Sequence, residues 1–200
     1  IPTRYTVYGV RKGGGAVKRY TVEIMKEGTK RYYYILNRET LDIALFPSKY
    51  LKHKTKSNLS PNTVKRYAFS LSCYLEYLAE KELDFPQVCK LGFEEQSSHF
   101  TQFLYWLKEG RHTEKKKIGD VDSGTCNAYL KDVFGFYFFL SEIDYVPSLR
   151  VLSYSQITVT NGVGVRRTLR SKAFRGFMKA EERNVRAATE EEIIQALQAC

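Results

Sequence analysis

The stretch from Ser60 to Glu82 constrains the fold of this chain more than any other. Ser60 is a residue type that caps helix N-termini, and Pro61 fits the first helical position, where its missing N–H would have no partner anyway. Apolar side chains then recur at the three- and four-residue spacing of one helix face. These are Val64, Tyr67, Ala68, Leu71, Tyr74, Leu75 and Leu78. The pattern predicts an amphipathic helix from Ser60 to about Glu82 that ends before Pro86.

Later segments carry the same helical signature. One covers about 96–108 and is stopped by Gly110, and another follows Ser123 or Thr125 and ends near Pro147. A last helix begins at Thr189, which forms a capping box with Glu192. The apolar stripes of the first two are Phe100, Phe103, Leu104 and Leu107, and Cys126, Tyr129, Leu130, Val133, Phe136, Tyr137 and Leu140. We expect the aromatics Tyr67, Tyr74 and Tyr137 to lie in the core with their hydroxyls in contact with water.

The region before Ser60 has a different pattern. Residues 4–36 are rich in Thr, Val, Tyr and Ile and are divided by turn signals at 13–15 and 27–29, which predicts a small antiparallel meander. A short helix is expected within 41–54, with Pro47 in its first turn. The fold class is therefore mainly α, with a small antiparallel β-rich N-terminal segment. The predicted units are a β-rich segment at 1–57, a helical domain at 58–148, a basic linker at 149–186 and a further domain starting at 187–200.

The sequence has no features typical of a membrane, disulfide-rich or metal-binding protein. No apolar run approaches the roughly 20 residues of a membrane helix, so we expect no membrane partner. The four cysteines form no CxxC pair, and the histidines show no metal-ligand spacing with them, so we expect reduced thiols and no metal. The chain starts at Ile1 without a basic-then-apolar leader. We interpret it as part of a larger cytoplasmic protein.

Positive charge is concentrated in two blocks of the sequence. Net charge is +9 over residues 1–57, −3 over 58–148, +7 over 149–179 and −3 over 180–200. Lys and Arg side chains release counterions from a phosphate backbone, so a polyanion is the natural partner. RNA, anionic lipid and a merely soluble basic surface remain open alternatives.

Basic and polar residues at helix starts and in loops are the candidate DNA contacts, because helix N-termini attract phosphate. Each of them has a capping role or a solvated position as its alternative. We expect most of them to bind phosphate, which positions the protein without reading bases. The candidates are Asn62, Thr63, Lys65 and Arg66; Thr125, Asn127 and Lys131; Lys115, Lys116 and Lys117; and Arg166, Arg167, Arg170 and Lys172.

Two of these helices resemble the core-binding domain of tyrosine recombinases, the phage integrase and transposase family. The first carries Ser60, Thr63, Tyr67, Leu71, Tyr74, Tyr77 and Leu78 in the order seen in that family. The second carries Thr125, Asn127, Leu130, Phe136, Tyr137 and Leu140. Residues 187–200 look like the opening of the catalytic domain, although Ala188 replaces the usual Leu. Residues 31–54 also look like the segment that precedes this domain in some integrases and transposases of mobile elements.

The resemblance implies duplex DNA as partner and a parent enzyme for DNA integration and recombination. In the family, a SAM-like core-binding domain and a catalytic domain close around DNA. A Tyr then forms a 3′-phosphotyrosyl link that is stabilised by Arg, Lys and His side chains, with no metal or cofactor. The family's catalytic residues lie beyond Cys200, so none is assigned, and this chain alone is expected to be inactive. Self-association on DNA in a tetrameric synapse is implied as well. Two rival functions stay open: a non-catalytic nucleic-acid-binding accessory protein and a helical protein-interaction module.

Overall fold

The computed structural model describes residues 18–28, 30–113, 121–160, 162, 164 and 166–179, and at 153–159 and 167–173 it describes the backbone. Within these residues the protein is mainly α, with a small antiparallel hairpin before the helices, as predicted. A second hairpin follows them. The elements are β1 (Tyr20–Glu27), β2 (Lys30–Asn37), α1 (Leu45–Lys56), α2 (Pro61–Glu80), α3 (Phe85–Lys90), α4 (Phe93–Lys108), α5 (Ser123–Glu142), β3 (Ser153–Thr160) and β4 (Arg166–Ala173).

The N-terminal hairpin joins the helices at its base and extends into solvent at its tip. Strands β1 and β2 pair antiparallel, and Gly28 adopts a positive φ of 59° in the turn between them, where a side chain would be strained. Ile35 is fully buried near the base, whereas Ile24 and Met25 are about half exposed toward the tip. The predicted strands at 19–25 and 30–36 are confirmed. The predicted strand at 4–10 lies outside the described residues.

The predicted starts of α1 and α2 are confirmed. Pro47 lies in the first turn of α1, and Pro61 begins α2. The Ser60 hydroxyl accepts a hydrogen bond from the Thr63 N–H at 3.2 Å, as an N-cap does. The stripe of α2 is buried, apart from the half-buried Tyr67.

Helix α3 was not predicted. Asp84 accepts a bond from the Gln87 N–H at 2.7 Å and the Gln87 side chain accepts one from the Asp84 N–H, so the two residues form a capping box. We had interpreted Pro86 as a terminator of α2, but a proline is equally suited to the first turn of a new helix. The helix predicted at 96–108 begins three residues earlier, at Phe93.

The cap of α5 differs from both residues that we predicted. Asp122 is the N-cap, and its carboxylate accepts from the Thr125 N–H at 2.9 Å. Ser123 is the first helical residue, and the helix ends at Glu142, before Pro147. A carboxylate is favoured at this place because it faces the positive end of the helix dipole.

Helices α2 and α5 pack side by side and run parallel. Arg66 contacts Asp132, and further along both helices, eight residues on in α2 and five residues on in α5, Tyr74 contacts Tyr137. Because residue numbers rise together along both helices, the N-terminal ends of α2 and α5 lie at the same end of the bundle.

Helix α1 runs antiparallel to α5. Phe46, near the start of α1, stacks on Tyr145 just beyond the end of α5, and His53 contacts Phe139 further back along α5. The C-terminal end of α1 therefore points toward the end of the bundle where α2 and α5 begin, and Lys54 lies beside Tyr67 in the second turn of α2.

The segment predicted as a linker is attached to the bundle at two points. Leu149, Val151 and Phe174 are buried, and the backbone between them forms the β3–β4 hairpin. The predicted strand at 157–160 lies within β3. Of the strand predicted at 163–165 the structure describes only Gly164, which has a positive φ of 81°. The helix predicted from Thr189 lies outside the described residues.

Our expectation of solvated tyrosine hydroxyls is wrong for two of the three residues. Tyr74 and Tyr137 are buried, and their hydroxyl oxygens lie 2.9 Å apart. The Tyr74 hydroxyl also lies 2.9 Å from Nε2 of the buried His99. These groups satisfy one another inside the core, as buried polar groups must. In the part of the chain that the structure describes, no helix has the length and apolar character to cross a membrane.

Candidate nucleic-acid interface

Lysine and arginine side chains lie where the end of α1 meets the first turns of α2 and the middle of α5. The last turns of α1 carry three lysines, of which Lys54 is partly buried and the others are exposed, and the first two turns of α2 and the third turn of α5 add further exposed cations. We call this surface the basic end of the bundle. Its members are Lys52, Lys54, Lys56, Lys65, Arg66 and Lys131.

Acidic residues concentrate at the opposite end of the same helices. Glu80 and Glu82 lie at and just after the end of α2, and Glu142 and Asp144 lie at and just after the end of α5. The net charge of −3 over residues 58–148 therefore averages over two ends of opposite sign. Only the parallel packing of α2 and α5 reveals this separation.

A pair of cations of the basic end lie over one aromatic ring. The Lys54 ammonium is 5.9 Å from the centre of the Tyr67 ring and 5.0 Å from that of Tyr50. The Arg66 guanidinium is 5.2 Å from the centre of the Tyr67 ring. Contacts of this kind attract a cation to the ring face and restrict its position.

Arg66 is also bound to a buried carboxylate on α5. Its Nε and Nη2 donate to the two oxygens of Asp132 at 3.1 and 3.0 Å, and the Ser70 hydroxyl donates to the same carboxylate at 2.8 Å. The Asp132 side chain is 4% exposed and the Arg66 side chain 49%. Burial raises the pKa of Asp132, which the bonds from Arg66 and Ser70 oppose. The bond to Asp132 raises the pKa of Arg66, so the guanidinium stays charged.

The other candidates at the start of α2 differ in whether their side chains are free to bind a ligand. Asn62 and Lys65 are exposed, and their side chains face solvent at the basic end. Thr63 takes part in the cap, because its hydroxyl lies 2.8 Å from that of Ser60. A phosphate at this helix start would meet Asn62 and Lys65 before Thr63.

The start of α5 is a poorer anion site than we expected. Thr125 donates both its N–H and its hydroxyl to the Asp122 carboxylate, at 2.9 and 3.3 Å. A carboxylate at the helix N-terminus repels phosphate and satisfies the N–H groups that would otherwise bind it. Lys131, two turns further on, is exposed, and its ammonium lies 5.4 Å from the Phe177 ring centre.

Asn127 is engaged in an internal contact. Its side-chain amide donates to the Met178 carbonyl at 2.8 Å and accepts from the Met178 N–H at 3.0 Å. Both polar atoms of the amide are thus used to attach the chain after β4 to α5. A similar attachment precedes β3, where the buried Gln96 amide oxygen accepts from the Arg150 N–H at 2.9 Å.

The remaining candidates are described only in part. Arg166 is exposed at the start of β4, and the backbones of Arg167, Arg170 and Lys172 lie within that strand. Lys115, Lys116 and Lys117 lie outside the described residues.

Lys54 and Asp132 were not predicted from the sequence. Lys54 lies in a basic run at the end of α1, and that run was visible, but nothing local shows that the end of α1 adjoins the start of α2 and α5. Asp132 lies among apolar residues of α5, where an acidic residue is unusual unless it is paired. An acidic residue within an apolar stretch is the signal by which Asp132 could have been predicted.

No group of three His, Cys, Asp or Glu among the described residues is placed to bind a metal ion. Comparisons of the chain with protein-family models, with curated proteins and with solved structures found no match.

Proposed function

We propose that this chain binds duplex DNA through its basic end, as the DNA-binding part of a tyrosine-type site-specific recombinase acting in DNA integration and recombination. The observation that carries the DNA-binding proposal is the meeting of α1 and α2, where Lys54 and Arg66 lie over the Tyr67 ring and Lys52, Lys56 and Lys65 are exposed on the same turns. Lysine and arginine side chains attract the phosphate backbone and release its counterions. Such contacts orient a protein on DNA independently of sequence.

The recombinase part of the proposal is supported by the sequence resemblance of α2 and α5 to the family's core-binding helices. In such a protein the parent would be an enzyme acting in the cytoplasm, and it would assemble on DNA. The catalytic tyrosine and its arginines would belong to a domain that follows this chain. The chain by itself would bind DNA without cleaving or joining it.

Fluorescence anisotropy against a random duplex and a single strand, across a salt series, tests the DNA-binding proposal. Lys52→Glu, Lys65→Glu and Lys131→Glu are combined in one variant of the basic end. We expect its duplex affinity to fall by about 100-fold, and the magnitude of the salt slope by about 3, if each lysine neutralises one phosphate. A variant with the same change in charge, Lys26→Glu, Lys81→Glu and Lys90→Glu, is the matched control.

The control variant distinguishes a local interface from total charge. If both variants lose affinity equally, net charge and not the basic end determines binding. If the unaltered chain does not bind a duplex at low salt, the proposal fails.

One observation favours the helical protein-interaction module as a second candidate. Leu45, Ile143 and Tyr145 are exposed to 57%, 43% and 41%, and the stacking of Phe46 on Tyr145, with ring centres 3.8 Å apart, brings their two segments together. Exposed apolar patches of this kind mark interaction surfaces. This candidate would replace the first if the chain had no affinity for duplex DNA.

A further inference from the structure

We infer that Lys54 and Arg66 form a binding site for one backbone phosphodiester group, and that Asp132 positions the Arg66 guanidinium for it. The inference rests on the proposed function and adds to it a particular site. Lys54 and Asp132 were not among the residues that the sequence singled out. The site combines three elements, since Lys54 lies on α1, Arg66 on α2 and Asp132 on α5.

Two positive charges lie on one ring. The Lys54 ammonium and the Arg66 guanidinium both lie within 6 Å of the centre of Tyr67, at 5.9 and 5.2 Å. Two charges of the same sign on one ring repel each other, and the Asp132 carboxylate is paired with Arg66. An anion bound beside both would remove the repulsion. A phosphodiester has that charge and accepts hydrogen bonds from ammonium and guanidinium groups.

The Arg66 guanidinium is held in one orientation. Two of its five N–H donors are used by Asp132, through Nε and Nη2, and the side chain remains about half exposed to solvent. The planar guanidinium is fixed by the bidentate pair and by its contact with Tyr67. Fixing it in advance lowers the entropy that would be lost when it binds phosphate.

Asp132 is buried although it carries a charge. A carboxylate that is 4% exposed loses most of its hydration, and a buried ion pair is a weak source of stability because desolvation opposes the attraction. The Ser70 hydroxyl donates a further bond to the carboxylate at 2.8 Å. This arrangement places the guanidinium in a defined position at the surface, so Asp132 is a positioning residue.

The test uses binding to a random DNA duplex across a salt series, with thermal unfolding as a check on folding. Lys54→Gln should weaken binding by about 5- to 10-fold and reduce the magnitude of the salt slope by about 1. Arg66→Lys keeps the charge but removes the planar guanidinium with its paired N–H donors. We therefore expect a loss of duplex affinity with little change in the salt slope. The matched control is Lys81→Gln, because Lys81 also lies over a tyrosine of α2, with 5.8 Å to the Tyr77 ring centre, but at the other end of the helix.

The decisive variant is Asp132→Asn. It removes a negative charge near the DNA, so simple electrostatics predicts tighter binding, whereas a positioning role predicts binding several-fold weaker. If Asp132→Asn does not fold, Asp132→Glu keeps the charge and displaces the carboxylate, and the same loss is expected. Tighter binding by Asp132→Asn, or unchanged binding by Lys54→Gln in a chain that still binds duplex DNA, overturns this inference and leaves the proposed function intact.

Two further experiments distinguish whether the bound phosphate group belongs to DNA, to RNA or to free phosphate. The same variants are measured with duplex RNA of matched sequence and with inorganic phosphate as competitor at constant ionic strength. A loss confined to RNA would assign the site to an RNA backbone and overturn the DNA assignment. Competition by inorganic phosphate that is abolished in Lys54→Gln would identify a site for free phosphate. If the unaltered chain fails to bind any duplex, the inference and the proposed function both fail.

Discussion

Two polar clusters lie along α2, about 10 Å apart along the helix axis. Both combine tyrosine rings with basic side chains, but one is buried and the other lies at the surface. The interior cluster consists of Tyr74, His99 and Tyr137, all buried and linked by hydrogen bonds of 2.9 Å. The surface cluster consists of Lys54, Tyr67 and Arg66 at the basic end. In each cluster an aromatic ring of α2 contacts basic side chains.

Exposure to solvent determines the charge of each cluster. Burial lowers the pKa of His99 to about 4, so its imidazole is neutral at pH 7. Burial also raises the pKa of both core tyrosines, so their hydroxyls stay protonated. Lys54 and Arg66 keep contact with water, and the bond to Asp132 raises the pKa of Arg66. We expect the interior cluster to contribute to stability, and we propose that the surface cluster contributes to binding.

The comparison predicts that interior variants change stability and leave DNA binding unaltered. Leu71 lies on α2 between the two clusters and is 1% exposed. Leu71→Ala should lower the free energy of unfolding by about 2–5 kcal/mol, through lost burial and the cavity left behind. Chemical denaturation measures the loss, and the salt slope of duplex binding should match that of the unaltered chain. A loss below about 0.5 kcal/mol would match an exposed site and contradict the packing of α2.

The pH dependence of stability gives a second test of the interior cluster. Because the pKa of His99 is about 4 in the folded chain and near 6.5 when unfolded, the unfolded chain takes up a proton that the folded chain does not between these values. This contribution is fully present above pH 6.5 and is lost as the pH falls toward 4. We expect about 2 kcal/mol lower stability at pH 5 than at pH 7 from this group.

His99→Gln tests that assignment. The difference between the pH profiles of this variant and of the unaltered chain isolates the histidine from the carboxyl groups that titrate in the same range. His53→Gln, on the exposed surface of α1, is the matched control. Identical profiles for His99→Gln and the unaltered chain would show that the imidazole does not resist protonation.

Asn127 was predicted to contact DNA, but its side chain makes an internal contact, so its variant distinguishes a structural residue from a DNA contact. Its amide is bound on both sides to the Met178 backbone, so Asn127→Ala should lower the free energy of unfolding by about 1 kcal/mol. Duplex affinity should change less than twofold. Asn62→Ala, at the exposed start of α2, is the comparison and should leave stability nearly unaltered. A large loss of affinity in Asn127→Ala with unchanged stability would restore Asn127 as a DNA contact.

Local signals in the sequence were sufficient for most of the secondary structure. The Ser60 cap, Pro61 and the apolar stripe of α2 predicted that helix to within two residues at its end, because caps and periodicity act over a few neighbouring residues. Helix α3 was missed because Pro86 is compatible with a helix end and with a helix start. The choice of Asp122 as the cap of α5, one residue before the range we considered, is a difference of the same local kind.

The candidate site could be predicted only in part. The sequence alone determined the helices, their apolar faces, the strands of the first hairpin and an excess of positive charge. Tertiary structure decided that α2 and α5 run parallel, that Lys54 joins Arg66 on one ring, and that Asp132 is the partner of Arg66. The reason is distance along the chain. Caps and stripes depend on neighbours three or four residues away, whereas Arg66 and Asp132 are 66 residues apart and meet only when the helices pack.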